Sequence, residues 1–151
     1  MPRALFGLVL LCVSLATAAS ARQTEHLLPI REAVESELGR ERLFDVPFYF
    51  HGQAHPAVAR RISTERTDRS TRGVFRADHS GCRVAFLSAI RYLQNRAKET
   101  GADAIIEIKS VTLDQELESA TEYRCVAGAT IVRVGLKGVL VELEGPPSAE
   151  E

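Results

Sequence analysis

Apolar positions recur along this chain with two different periods, and the change of period separates its elements. From Cys82 the positions Phe86, Ile90, Leu93 and Ala97 keep the spacing of one helical face, which predicts an amphipathic helix with Cys82 on the stripe that packs inward. Gly101 ends that helix, and Lys98 sits in its last turn, where a cation suits the dipole. The polar Asp78-His79-Ser80 leads into it, with Ser80 or Asp78 as its cap. Ala104 to Leu113 and Ser119 to Val134 read as strands joined by the polar Asp114-Gln115-Glu116-Leu117. Pairing them so that Leu113 faces Glu118 sets Glu107 opposite Arg124 and Lys109 opposite Glu122. Ile106, Ile108, Tyr123, Cys125, Ala127, Ala129 and Ile131 then share the apolar face.

The front of the chain follows the same logic. Ile30, Ala33, Val34 and Leu38 mark a short helix ended by Gly39, and Phe44, Val46, Phe48 and Phe50 alternate as a strand, which Pro47 confines to an edge or a bulge. Val58 to Thr64 alternates again, and the polar run Ser63 to Arg72 reads as a strand end and an exposed loop. The residues from Gly145 to Glu151, with Pro146-Pro147, read as a disordered tail. The order of elements predicts a single α+β domain, an antiparallel sheet with helices packed on one face, over residues 22–144.

Residues 1–21 stand apart. Arg3, the apolar run Ala4 to Ala16 and the small Ala19-Ser20-Ala21 give the order of a cleavable export signal, with cleavage after Ala21. The apolar run is shorter than the twenty or so residues a membrane-spanning helix needs. Cys12 lies inside it, preceded by Leu11 where a lipid-attachment motif would carry a small residue, so it leaves with the signal. The expected location is periplasmic or secreted, with no transmembrane segment after signal removal. The chain has 19 Lys and Arg against 20 Asp and Glu, and losing Arg3 makes it slightly more acidic, which excludes polycationic binding of nucleic acid by the whole domain.

Two cysteines remain, Cys82 and Cys125, and an even pair in an exported chain points to a disulfide. Helix periodicity turns Cys82 inward and strand alternation turns Cys125 to the apolar side, so both sulfurs face one layer. Two buried free thiols are the alternative.

The runs Gly81-Cys82-Arg83-Val84-Ala85-Phe86-Leu87-Ser88-Ala89, Arg96-Ala97-Lys98-Glu99-Thr100-Gly101-Ala102-Asp103-Ala104 and Ser119-Ala120-Thr121-Glu122-Tyr123-Arg124-Cys125-Val126-Ala127-Gly128-Ala129, with His55-Pro56, resemble a family of small exported proteobacterial proteins that often carry the name "excinuclease ATPase subunit". The resemblance implies export and no established activity. More distantly, a cysteine at a helix start, the Gly101-Ala102-Asp103-Ala104 step into a strand and Cys125 in a Gly/Ala-rich strand are similar to the lipoprotein that senses envelope stress in the Rcs system. That protein is lipid-anchored with four cysteines in two bridges. Here Ser119 stands where a further cysteine is expected, so the similarity bears on fold alone.

An excinuclease ATPase needs G-x-x-x-x-G-K-[ST], whose amides and lysine cradle phosphates, and Gly135-Leu136-Lys137-Gly138 has neither the spacing nor the hydroxyl residue. Nucleotide hydrolysis and DNA repair are therefore excluded, with no nucleotide and no cofactor expected. His51, His55 and His79 are weak metal candidates, since Gly52 and Pro56 put the first two in a turn and no carboxylate or cysteine stands at ligand spacing. Contiguous Asp78-His79-Ser80 cannot form a catalytic relay. Arginines crowd residues 60–83, and Arg69, Arg72 and Arg76 are the candidate anion-binding residues, suited to phosphate or anionic head groups. Two functions stay open. One is a non-catalytic periplasmic module binding a protein or envelope component through a sheet edge or arginine-rich loop; the other is a small metal-dependent or hydrolytic enzyme with scattered His and carboxylate residues.

Overall fold

Alternating apolar residues from Ile131 to Leu143 build a thirteen-residue strand, β6, on which the whole sheet is organised. The structure is a computed structural model that describes residues 23–73 and 77–145. The stretch 1–21 expected to be an export signal, Arg76, and residues 146–151 of the expected tail lie outside the described residues.

Among the described residues five strands and three α-helices precede β6: β1 (Gln23–Pro29), α1 (Ile30–Val34), α2 (Glu37–Arg42), β2 (Phe48–Phe50), β3 (Val58–Arg72), α3 (Asp78–Thr100), β4 (Ala104–Ser110) and β5 (Glu122–Gly128). One edge of β6 pairs with β3 along its length, from Val58↔Leu143 to Arg72↔Ile131. The other edge is shared. Its first part takes β5, through Val126↔Arg133 and Ala127↔Val132, and its second takes β4, from Ser110↔Leu136 to Ala104↔Val141. β1 adds antiparallel to β5, and the short β2 adds parallel to β4. The sheet curls, and the helices pack on it to give one α+β domain.

α3 is the helix that periodicity predicts. Cys82, Phe86, Ile90, Leu93 and Ala97 are all buried, and Gly101 closes it at φ 72. Phe86 stacks on Tyr123 of β5 with ring centroids 3.9 Å apart, and Cys82 is bridged to Cys125 with Cα atoms 5.7 Å apart. Both sulfurs lie in the layer between helix and sheet. The opposite face of the sheet carries a smaller apolar cluster around Ala104, Ile106 and Val141.

Several expectations are corrected. α3 starts a turn before Cys82, its cap is Ala77 without a side-chain bond, and neither Asp78 nor Ser80 caps it. Asp78 instead reaches His26 of β1 at 3.2 Å. The front helix is two helices, because Ser36 caps α2 by accepting from Gly39 N at 3.0 Å. Residues 63–72 are strand, not loop, since β6 supplies a complete ladder for them. β4 and β5 do not pair; Ser110 of β4 makes a single bridge to Leu117 in the link between them, and both strands lie on β6 instead. The link between them turns sharply, with Leu113 at φ 55 and Asp114 at φ 58, and breaks the expected hairpin. Glu107 therefore meets Arg61, Arg124 meets Glu25 at 3.0 Å, and Lys109 meets Glu116 at 2.7 Å. Ala129 and Ile131, expected inside, flank the β5–β6 turn and are exposed.

Candidate functional site

The arginine-rich stretch is a strand, and strand alternation sorts its side chains. Arg69 turns to the helix side, its guanidinium carbon 4.5 Å from the centroid of the Tyr92 ring on α3. Arg72, three residues on, faces away and is exposed, so the two do not share a patch. The Nε of Arg69 is shielded from solvent with no hydrogen-bond partner.

Most described arginines and lysines reach a carboxylate: Arg60 meets Glu142, Arg66 meets Asp114, Arg83 meets Glu32 and Arg96 meets Glu65. Among the described residues Arg40, Arg42, Arg69, Arg72, Arg91 and Lys98 meet none, and of these Arg69 and Arg91 share a groove while Arg91 and Lys98 share the Phe44 ring. Arg91 and Lys98, seven residues apart on the outward face of α3, both sit over the Phe44 ring, at 4.6 and 4.4 Å from its centroid. Arg91 also donates to the Arg42 carbonyl at 3.1 Å, and Ser88, Arg91, Tyr92 and Asn95 form a shallow groove with Arg69. Glu41 and Asp45 are the acids nearest in sequence to Arg42 and Phe44.

Gln94 sets Phe44 in place. This fully buried side chain accepts from Phe44 N and donates to the Phe44 and Val46 carbonyls. Sequence reading missed Gln94, Arg91, Lys98 and Phe44 as one group. The spacing of Arg91 and Lys98 was a signal within the helix, whereas the contact between residue 44 and residue 94 had none.

The histidines are dispersed. His51 stands 3.3 Å from Glu118 beside a charged cleft of about 410 Å³, and the cleft also holds Arg61, Glu107, Lys109 and Lys137. Within it the Lys109 hydrogen bonds to Glu116 and Glu118 hold its ammonium pKa up, and the Lys109 bond holds Glu116 down. His55 lies against its neighbour's carbonyl, Pro56 O, at 2.8 Å and near the Tyr49 ring. His79 meets His26 edge-on at 5.1 Å. The three are not brought together, and among the described residues no group of three or more His, Cys, Asp or Glu could hold a metal ion.

Among the described residues no helix is long and apolar enough to cross a membrane. No protein-family model, curated protein or solved structure matches the chain.

Proposed function

We propose that this chain is an exported binding module without catalytic activity that lies against a phosphate-bearing envelope surface through Arg91 and Lys98, with Arg42 and Arg69 beside them. The observation that carries the reading is the gathering of carboxylate-free cations over Phe44 on the outward face of α3. A cation already paired inside the protein must give up its partner to bind a phosphate, and these need not. The aromatic ring beneath offers an apolar base suited to the head-group region. Export is supported by the order of basic, apolar and small residues over 1–21 and by the Cys82–Cys125 bridge, since such bridges persist in oxidising compartments. The resemblance to small exported proteobacterial proteins points the same way. The lack of catalysis is supported by what perturbs titration: mutual ion pairs, Arg60 with Glu142, Arg96 with Glu65 and Glu99, and Lys109 with Glu116 in the charged cleft, and burial of the Tyr123 phenol.

Each cation at an anionic membrane surface contributes about 1 kcal/mol, so three or four of them supply about 3–4 kcal/mol, an affinity in the millimolar range. The test is co-sedimentation with vesicles containing phosphatidylglycerol and with neutral phosphatidylcholine vesicles. The parent should sediment with the first in a salt-sensitive way and not with the second, and R91E/K98E should stay in solution. Equal retention of parent and variant, or no retention of the parent, would sink the proposal.

A further inference from the structure

We infer that β3 pairs edge to edge with the β3 of a second copy of this chain, in the register that sets Thr67 opposite Thr67 on a two-fold axis perpendicular to the sheet. β3 is hydrogen-bonded to β6 on one side, and no described strand pairs with its other side. Its pairing with β6 is regular from Ser63 to Arg72, the register shifts being confined to residues before Ser63. Ten residues of straight, unpaired edge are a template for another strand, and proteins normally blunt such an edge with proline, bulges or repelling charges.

The charges here are ordered to admit one partner. Residues 63–71 read Ser-Thr-Glu-Arg-Thr-Asp-Arg-Ser-Thr, which is self-complementary when run against itself. With Thr67 on the axis, Glu65 faces Arg69 of the second copy, Arg66 faces Asp68, Thr64 faces Ser70 and Ser63 faces Thr71, and each relation is repeated by symmetry. Directly opposed side chains in an antiparallel pair share a face, so the Glu65 and Arg69 pairs lie on the helix side and the Arg66 and Asp68 pairs on the other. Registers shifted by one residue turn every side chain to the wrong face. Moving the axis to Arg66 or Asp68 sets like charge on like charge at the centre, and an axis at Glu65 or Arg69 does the same.

A second observation points to the same partner. Arg69 Nε is shielded from solvent without an acceptor, and buried donors left so are rare. The register brings a carboxylate, Glu65 of the second copy, directly opposite that side chain. Glu65 already meets Arg96 at 3.3 Å and would then bridge two guanidinium groups. Arg66 and Asp68 make exposed pairs with Asp114 and with Arg133, and Arg66 adds a long bond of 3.4 Å to the Val111 carbonyl; exposed pairs of this kind share charge across the axis at little cost.

A perpendicular axis keeps both copies of α3 on the same side of the joined sheet. Arg91 and Lys98 of the two copies then face one way, and a flat anionic surface meets two basic strips where the single copy offers one at millimolar affinity. The pairing itself does not depend on that surface. Arg69 passes from the basic strip to the interface.

Sedimentation velocity of the oxidised protein over a wide concentration range tests the inference without any lipid. A reversible dimer is expected. Glu65→Arg opposes two arginines and Arg69→Glu opposes two glutamates, so each variant alone should dimerise about tenfold or more weakly. Mixed together, the two variants should recover a heterodimer, because each then faces its opposite charge; this recovery also shows that both still fold. A parent that stays monomeric, a dimer whose strength neither substitution changes, or a mixture no tighter than the separate variants would overturn the inference. Failure of the vesicle experiment alongside a normal dimer would remove only the envelope proposal.

Discussion

Gln94 binds Phe44 by both of its main-chain groups, accepting from the amide at 2.9 Å and donating to the carbonyl at 2.8 Å, and its amide nitrogen also reaches the Val46 carbonyl at 2.9 Å. A helix side chain thereby replaces the ladder that residues 44–46 lack. Gln94→Leu keeps the volume but leaves those groups without partners, and each buried unsatisfied group costs about 1–3 kcal/mol. The expected loss of stability in urea denaturation is roughly 2–4 kcal/mol, since part of the exposed backbone regains water. Gln94→Glu keeps the acceptor for Phe44 N but sets a buried carboxylate oxygen against the Phe44 and Val46 carbonyls, so near neutral pH it should cost at least as much as the leucine. A change below the error of the measurement would mean that this segment is held by its side chains alone.

The Cys82–Cys125 bridge spans 43 residues of sequence and joins the first turns of α3 to the middle of β5. Closing such a loop restricts the unfolded chain and contributes about 4 kcal/mol in the chain-entropy account. Both cysteines are fully buried, so Cys82→Ala with Cys125→Ala should lower the unfolding free energy from urea denaturation by an amount of that order and leave the far-ultraviolet spectrum of the folded state unchanged. Reducing agent should act on the parent only as fast as the helix opens from the sheet. A native protein reduced at the rate of an exposed disulfide would contradict the burial.

Tyr123 lies under Phe86 and is nearly inaccessible, and burial pushes its phenol well above the ordinary tyrosine range, with Arg83 pulling weakly the other way. The folded state therefore favours the neutral phenol. Below about pH 10 both states are protonated and nothing is lost; above it the unfolded chain ionises first and the folded state loses ground as pH climbs. Tyr123→Phe should flatten that alkaline decline. The check is the urea midpoint of parent and variant measured from neutral pH to about 11. Parallel curves would show that another group sets the alkaline limb.

What could be read from sequence depended on whether the signal was local. The α3 stripe and the inward turn of Cys125 are set by periodicity within single elements, and the bridge follows because both stripes face one layer. Strand partners are a different matter. Glu107 and Arg124 looked complementary across a hairpin, yet each finds its charge on another strand, Arg61 of β3 and Glu25 of β1. Nothing near residues 104–128 announced that β6 is long enough to accept β4 and β5 end to end. The polar composition of 63–72 hid a strand because one of its faces is solvated and the other meets polar and charged groups of α3, Arg96 and Tyr92 among them. The basic strip was half legible: the crowding of arginines was visible, but alternation sends Arg72 away from Arg69, and Arg91 and Lys98 come from the helix.

Gly138 and Gly101 are required for different reasons, and substitutions can separate them. Between Ile106↔Val139 and Lys109↔Lys137, two residues of β4, Glu107 and Ile108, oppose the single Gly138. The bulge puts Glu107 at φ 53 and aims its carboxylate at Arg61. A Cβ on Gly138 would stand 2.8 Å from Ile105 Cγ2 and 3.0 Å from Ile108 Cγ1, so Gly138→Ala should cost about 1–3 kcal/mol by overpacking. Gly101 has open space around its missing Cβ and needs only its left-handed φ of 72. There Gly101→Asn should be nearly neutral, because asparagine tolerates that region, while Gly101→Ala costs about 1 kcal/mol. At Gly138 the order reverses, and Asn should be worse than Ala because the larger side chain deepens the clash. Thermal unfolding of the four variants decides the matter: if Gly138→Asn proves as mild as Gly101→Asn, the bulge yields to side chains and Gly138 is not what shapes it.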